Sequence, residues 1–291
     1  MVAIVGRPNV GKSTFLNHAL GYHLTAVSSK PQTTRQHWRG ILSDSESQII
    51  FIDTPGVHLG KTMLNDEMLH AVQRSLSDAD LILCLCDPTR EPGDEDQLVA
   101  KRVAKFASRV LLVSNKSDAA TPAQKKASLA FYHAIIGDCD VSEMSALKGS
   151  GTDQLLVRVR ERLPRGPFFY PEDQLTDAIE RDIASELIRE AALHHLREEV
   201  PHCLAVAVDT WQQTDKKLKL VATVFVETES QKGIVLGHKG SVINSIRADA
   251  IKRLREIIDL RIDLRLYVKV ARDWRNRPEF LREHGLAPER D

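Results

Sequence analysis

The strongest constraint on the fold is at the start of the chain. An apolar run, Val2–Val5, leads directly into Gly6–Ser13, a G-x-x-x-x-G-K-S turn, and a helical pattern, 14–20, follows it. Glycines let backbone N–H groups approach phosphate oxygens, and the start of a helix adds partial positive charge. A glycine-rich turn with no ligand would leave Lys12 and Ser13 without a purpose. The sequence therefore predicts an α/β domain that binds phosphates at its first strand–helix turn.

This turn supplies most of the predicted phosphate contacts. Lys12 is predicted to reach the β- and γ-phosphates as a catalytic residue, and the Ser13 hydroxyl is predicted to bind Mg²⁺. The predicted nucleotide-binding residues of the turn are Gly6, Asn9, Val10, Gly11, Lys12, Ser13 and Thr14.

Two further segments complete the predicted phosphate and metal site. Asp53-Thr54-Pro55-Gly56 ends a second apolar run, so Asp53 is expected at Mg²⁺ and the catalytic Gly56 N–H at the γ-phosphate. Alone, such a segment indicates only a turn. The polar segment 28–35 lies between these motifs, and one of its threonines is expected to complete the Mg²⁺ shell. We favour Thr34, also as a catalytic residue, over Thr33, with little to separate them.

The segment Asn115-Lys116-Ser117-Asp118 indicates which base is bound. The Asp118 carboxylate can accept hydrogen bonds from guanine N1–H and the 2-amino group, and adenine offers neither donor. Asn115 is expected to brace the loop, and the stem of Lys116 to cover the base. A weaker segment, Ser145-Ala146-Leu147, is expected at the base edge, with the Ala146 N–H donating to guanine O6. The predicted ligands are therefore GTP or GDP with Mg²⁺.

Taken together, these motifs resemble those of Ras-type GTPases of the translation-factor class, and within it the Era family. Four segments elsewhere in the chain are also similar to Era: Thr33-Thr34-Arg35, 170–177, 196–201 and Gly237–Gly240. The resemblance implies a GTPase with a C-terminal K-homology domain. It also implies binding to the 3′ end of small-subunit ribosomal RNA, a role in maturation of the 30S subunit, and peripheral association with the inner membrane.

The hydrolytic step is expected to be slow without help. Val57 follows Gly56 at a position where many small GTPases carry a glutamine that orients the attacking water. Asn9 points to K⁺ as an activator, because an asparagine at this position helps to bind K⁺ in related GTPases that this chain resembles. The alternative is that Asn9 only supports the turn.

Alternating strand and helix patterns define the predicted architecture. We expect a P-loop GTPase domain with a mostly parallel six-stranded sheet (1–163), a linker (164–174) and an α+β, type II K-homology domain with a tail (175–291). The predicted strands are near 1–5, 36–43, 48–53, 80–86, 109–114 and 138–142. The predicted helices are near 12–20, 64–77, 94–106, 122–133 and 151–162.

The second domain is predicted to have the order αββααβ. Its first helix, about 175–199, would carry an apolar stripe that includes Ile179, Ile183, Leu187 and Ala191, with His194 and His195 on its surface or at the edge of the core. Strands near 203–211, 217–228 and 260–271 complete the pattern. The tail mixes arginines with aromatic residues; we prefer docking of Trp274 onto the domain over stacking on RNA bases.

A G-x-x-G turn lies between the last two predicted helices. Its glycines allow close approach of a sugar-phosphate backbone, and an adjoining apolar groove would hold unstacked bases, so the predicted target is single-stranded. The predicted RNA-binding residues are Ile234, Gly237, His238, Lys239, Gly240, Ser241 and Ile243.

Composition excludes several other classes. The four cysteines lack metal or disulfide spacing, and Cys84 and Cys86 are expected to be buried in a strand. Apolar runs are too short to span a membrane. Formal net charge is zero, although residues 231–280 are basic in balance. We expect a cytoplasmic monomer with no leader segment.

Three functions remain open from the residues alone. The first is a GTP-controlled switch that binds ribosomal RNA. The second is an RNA-binding module in which the nucleotide is chiefly structural. The third, an ATPase acting on RNA, is disfavoured by Asp118.

Overall fold

The structure of the chain, a computed structural model, describes residues 1–28, 30, 33–35, 37–57 and 61–287. Ser29, Pro31 and Gln32 of the predicted switch segment, and Gln36 at the start of a predicted strand, lie outside the described residues. The chain divides into two compact units. The first comprises Met1–Leu24, Thr34–Lys61 and Asn65–Asp177, and the second comprises Thr25–Thr33, Thr62–Leu64 and Ala178–Asp291.

A six-stranded sheet forms the centre of the first unit. Its strands are β1 (Val2–Val5), β2 (Trp38–Ser43), β3 (Gln48–Asp53), β4 (Leu81–Cys86), β5 (Val110–Ser114) and β6 (Asp140–Glu143). They are ordered β2-β3-β1-β4-β5-β6, and only the β2–β3 pair is antiparallel. Every residue of β4 is buried, including the free thiols of Cys84 and Cys86, as expected for a strand covered on both faces. The predicted α/β fold class is confirmed.

Helices alternate with these strands: α1 (Lys12–Leu20), α2 (Met63–Asp78), α3 (Asp94–Val103), α4 (Pro122–Ile136) and α5 (Thr152–Arg162). Local sequence sets their ends. At α4, Thr121 and Gln124 form a capping box, and Pro122 occupies the first turn. Helix α3 is shorter than predicted, because the chain tightens into a 3₁₀ turn after Val103 and Phe106 leaves helical geometry.

The second unit contains a three-stranded sheet with helices. Its elements are α6 (Glu180–His195), α7 (Val200–Cys203), β7 (Ala205–Thr214), β8 (Lys217–Val226), α8 (Glu229–Leu236), α9 (Ser241–Leu254), β9 (Arg261–Val270) and α10 (Pro278–Glu283). Strand β8 pairs antiparallel with β7 and parallel with β9. Alternate residues of β8 are fully buried, as predicted: Leu218, Leu220, Ala222, Val224 and Val226.

Helix α6 is shorter than the predicted span of 175–199. Ile179 has extended backbone before the first turn and is 61% exposed, so its place in the apolar stripe was predicted wrongly. The preceding residues bond to β2 instead: the Leu175 carbonyl accepts from the Ile41 N–H at 2.8 Å, and the Thr176 hydroxyl donates to the Arg39 carbonyl at 2.7 Å. These bonds compete with helix formation.

The aromatic tail docks, as preferred from the sequence. The Trp274 side chain is fully buried, and its Nε1 donates to the Cys203 carbonyl at 2.8 Å. The ring is therefore not open for stacking on a base. Among the described residues, every helix is too short or too polar to cross a bilayer.

Candidate guanine-nucleotide site and RNA-binding turn

Two glycines at the phosphate site, Gly11 in the turn between β1 and α1 and Gly56 after β3, lie where no other residue fits. Gly11 has a φ of 103°, and a Cβ there would lie 2.3 Å from Asn115 Nδ2. A Cβ on Gly56 would lie 2.9 Å from the Cα of Pro8. Both distances are too short for a side chain. With glycine at these positions, the backbone itself can face a bound phosphate.

Lys12 is held inside this turn. Its ammonium donates to the Gly6 carbonyl at 3.1 Å and to the Arg7 carbonyl at 3.0 Å. Burial lowers the pKa of Lys12 to about 8, although the Asp53 carboxylate opposes this shift. A weakly solvated ammonium in this position is well placed to bind phosphate oxygens, because little hydration has to be removed.

The predicted metal ligands come from three separate segments and meet at Ser13. The Ser13 hydroxyl lies 2.8 Å from Thr34 Oγ1 and donates to Asp53 Oδ2 at 2.8 Å. The hydroxyl of Thr33 instead donates to the Lys30 carbonyl at 2.6 Å. This geometry favours Thr34 over Thr33. Two hydroxyls and a carboxylate are hard oxygen donors, so the set fits Mg²⁺.

The segment after Asp53 positions backbone groups near the phosphate turn. The Thr54 hydroxyl donates to the Ile4 carbonyl at 2.7 Å, and the Val57 N–H donates to the Gly6 carbonyl at 3.4 Å. The Val57 side chain is buried in the hydrophobic core. A buried valine cannot orient the attacking water, as the sequence predicted for Val57. Asn9, the predicted K⁺ residue, has a left-handed φ of 60°.

Asn115 connects the base-reading loop with the phosphate turn. Its Nδ2 donates to the Val10 carbonyl at 2.7 Å, and its Oδ1 accepts from the Ala146 N–H at 2.9 Å. This is the bracing role expected of Asn115. The same Ala146 N–H was predicted to donate to guanine O6. With a base bound, it would either donate to both O6 and Asn115 Oδ1 or give up its hydrogen bond to Asn115.

The base-reading carboxylate is accessible. Asp118 is exposed, and a hydrogen bond from the Ser145 hydroxyl lowers its pKa, so it is ionised at neutral pH. Leu147, at the end of the separate segment Ser145-Ala146-Leu147, is 76% exposed. Lys116 has a left-handed φ of 57°, and its ammonium is fixed by Asp87 at 2.6 Å.

The structure adds charged residues that the sequence analysis did not select. Arg7, Asp87 and Asp96 are buried beside the phosphate turn. Asp87 directly follows the apolar strand β4, and Asp53 ends the apolar strand β3. An aspartate at the end of an apolar run was therefore the sequence signal that could have identified Asp87. Arg7 is an unspecified position of the glycine motif, and nothing in the pattern marks it.

In the second unit, the G-x-x-G turn joins α8 to α9. Gly237 has a φ of 70°, and a Cβ there would lie 2.8 Å from the Val242 nitrogen. Gly240 has a φ of 78°, and a Cβ there would make only ordinary contacts, 3.6 Å from Asn244 Nδ2 and 3.9 Å from Ile243 Cγ2. Helix α9 starts at Ser241 without a side-chain cap, so its first N–H groups can donate to an anion.

The surroundings of this turn combine charge with exposed apolar surface. His238, Lys239 and Ser241 are exposed, and Ile243 is half-buried on the first turn of α9. Ile234 is 45% exposed and Leu236 is 36% exposed on the last turn of α8. Apolar side chains next to a cationic turn are the combination predicted for unstacked bases and a phosphate backbone.

Comparison with known proteins agrees with both units. Residues 1–116 match the family described as 50S ribosome-binding GTPase, and residues 199–275 match the KH domain family. A solved structure of an Era variant from Aquifex aeolicus bound to GDP and AlF₄⁻ is 35% identical, covers 99% of this chain and 98% of its own, and has a TM-score of 0.93.

A second solved structure is equally similar. It is Era in complex with MgGDPNP and nucleotides 1506–1542 of 16S ribosomal RNA, 36% identical over 99% of this chain and 98% of its own, with a TM-score of 0.93. Identity at this level over nearly the full length of both chains, with the same two family matches in order, shows that the chain belongs to the Era family of GTPases.

Proposed function

We propose that this GTPase is a switch that binds single-stranded small-subunit ribosomal RNA near its 3′ end and acts in assembly of the 30S subunit. The observation that carries the proposal is the G-x-x-G turn with exposed Ile234 and Leu236, in a chain that also holds a guanine-nucleotide site. The Era structure bound to nucleotides 1506–1542 of 16S ribosomal RNA supports the choice of RNA.

On the nucleotide side, the contacts between the site residues support the following roles. Lys12 neutralises charge on the β- and γ-phosphates, and the Gly56 N–H contacts the γ-phosphate. Ser13, Thr34 and Asp53 would hold Mg²⁺, which supplies positive charge to the phosphates when bound. Since Thr34 and Asp53 come from segments outside the turn, loss of the γ-phosphate would release them, which is how GTPase switches commonly work.

On the RNA side, the turn and the start of α9 bind the backbone. Lys239 supplies charge, and N–H groups of the first turn of α9, which has no side-chain cap, supply donors. Ile234 and Ile243 border the surface where bases would lie. Because this surface is apolar and accessible only to splayed bases, it selects single strands over duplexes.

The same proposal includes where the protein acts. We place it in the cytoplasm as a monomer that associates with the 30S subunit and peripherally with the inner membrane. The resemblance to the Era family supports this placement. Sedimentation of the cell extract through a sucrose gradient, with and without GTP, tests the association with 30S particles.

RNA affinity is expected to depend on the bound nucleotide and on Lys239. A short labelled RNA that matches the 3′ end of the small-subunit RNA should bind more tightly with a non-hydrolysable GTP analogue than with GDP. Lys239→Asp should weaken binding by about tenfold or more, because a charged contact is worth about 1.5–3 kcal/mol. Fluorescence anisotropy at fixed salt measures both effects. Asp tolerates the left-handed φ of 50° at this position.

The matched control is Lys216→Asp, the same charge change at an exposed position of the β7–β8 hairpin. It should leave RNA affinity within about twofold, because a single distant charge is screened by salt. Equal affinity with both nucleotides would support the reading in which the nucleotide is only structural. Equal losses in the two lysine variants would argue against the G-x-x-G turn as the RNA site.

Hydrolysis is expected to be faster in K⁺ than in Na⁺. Asn9 lies in the phosphate turn, and a K⁺ held there would supply positive charge to the transition state. Turnover measured at equal ionic strength in the two salts tests this, with Asn9→Ala as the variant that should lose the difference. Equal wild-type rates in K⁺ and Na⁺ would leave Asn9 as a support of the turn only.

A further inference from the structure

Asp87 makes ionic contacts with two loops of the predicted nucleotide site. Asp87 Oδ2 accepts from the Arg7 guanidinium at 2.6 Å and from the Lys116 ammonium at 2.6 Å. Arg7 belongs to the phosphate turn, and Lys116 belongs to the base-reading loop. One carboxylate oxygen therefore joins the loop that is predicted to bind the phosphates to the loop that is predicted to bind the base.

Burial makes this joint strong. The side chains of Arg7 and Asp87 are 6% and 2% exposed, whereas that of Lys116 is 38% exposed. Burial by itself would raise the pKa of Asp87, but hydrogen bonds from Lys116 and Thr89 outweigh it, and the pKa lies below its ordinary value. A buried, ionised acceptor with two cationic donors is expensive to disrupt, because removing one partner leaves the others uncompensated.

The contacts also fix the geometry of Lys116. Its left-handed φ of 57° is an uncommon conformation for lysine. A flexible four-carbon side chain loses substantial rotamer freedom when its end is held. Asp87 imposes that order before the nucleotide arrives, so the stem of Lys116 is already placed where a base would lie.

From these contacts we propose that Asp87 is a positioning residue for guanine-nucleotide binding, which it strengthens by clamping Lys116 and Arg7 together. The inference rests on the nucleotide site described above and names a residue that acts through Lys116.

An alternative role for Asp87 is local. Its Oδ1 accepts from the Thr89 N–H at 3.0 Å and from the Thr89 hydroxyl at 2.6 Å, which shapes the turn after β4. A residue that only shaped this turn would affect stability without a specific effect on Lys116. The test therefore has to separate the clamp from the turn.

The experiment measures dissociation of a fluorescent GDP analogue by stopped flow, in excess unlabelled GDP. Asp87→Asn should raise the dissociation rate by about 10- to 100-fold, as expected for loss of charge-assisted hydrogen bonds. In the presence of Lys116→Met, the additional effect of Asp87→Asn should fall below about twofold, because the clamped group is already absent.

Asp96→Asn is the matched control. Asp96 is also buried and lies 3.5 Å from Arg7, but its hydrogen bonds come from Tyr132, Gly93 and Arg90. Both Asn variants should lower the urea midpoint, and only Asp87→Asn should accelerate dissociation. Equal acceleration by both variants, or effects of Asp87→Asn and Lys116→Met that multiply, would overturn the proposal.

A second pair of variants covers the case in which Asp87→Asn does not fold. Lys116→Arg keeps a cation that can reach Asp87 and should dissociate GDP within about threefold of wild type, whereas Lys116→Met should not. Equal rates for this pair would also overturn the proposal. If the wild-type chain fails to bind the GDP analogue at all, the nucleotide site itself is contradicted and not only the clamp.

Discussion

Replacing Asp118 by asparagine is expected to lower GTP affinity by about 10²- to 10⁴-fold and to shift preference towards xanthine nucleotides. The carboxylate is ionised and exposed, with the Ser145 hydroxyl lowering its pKa. Two hydrogen bonds from guanine to this carboxylate are worth about 1.5–3 kcal/mol each, and every 1.4 kcal/mol is tenfold in affinity. An asparagine amide presents a donor towards guanine's own donors, whereas xanthine offers an acceptor at that position.

Competition of GTP, XTP and ATP against a fluorescent GDP analogue measures this shift. Asp138→Asn is a suitable control, because it makes the same charge change at an exposed residue before β6, at the opposite end of the strand from the base-reading loop. It should leave all three affinities unchanged. Tight GTP binding by Asp118→Asn would mean that another group reads the base.

Replacing Lys12 by methionine is expected to reduce kcat/KM for GTP hydrolysis by about 10³-fold. Lys12 is the cation of the turn that is predicted to bind the phosphates, and its ammonium is held at the Gly6 and Arg7 carbonyls. Removing one preorganised donor from a site that stabilises developing charge costs about 10²- to 10³-fold in rate, and weaker binding of GTP adds to that loss. Methionine keeps the buried aliphatic stem, so the loss comes from the charge.

Phosphate release under single-turnover and steady-state conditions separates the binding and chemical contributions. Lys126→Met, at an exposed position of α4, controls for loss of a lysine from the same unit. The thermal midpoint of nucleotide-free Lys12→Met should stay close to that of wild type, because burial already disfavours the ammonium. Turnover within a few-fold of wild type would remove Lys12 from the catalytic site.

Much of the nucleotide site was predictable because its chemistry is local in sequence. The turn Gly6–Ser13 and the segment Asn115–Asp118 each combine specific side chains with required backbone conformations over a few residues. The same holds for Gly237, whose Cβ would collide with Val242. Strand spans were accurate where an apolar run ended at a turn, as at β3 and β4.

Errors arose where non-local contacts compete with local preference. The span 175–199 was predicted as one helix, but Leu175 and Thr176 bond to β2, and the helix begins at Glu180. The choice between Thr33 and Thr34 could not be made from sequence, because both are equivalent until the chain brings Ser13 next to one of them.

The sequence by itself determined the fold class, the base to be recognised and the presence of a nucleic-acid turn, because each depends on residues that are neighbours in the chain. Tertiary structure alone decided which groups act together. It turned Thr34 towards Ser13, buried Trp274, and joined Arg7 to Lys116 through Asp87. Arg7 and Asp87, for example, are 80 positions apart in the chain. Only the folding of the parallel sheet brings them together.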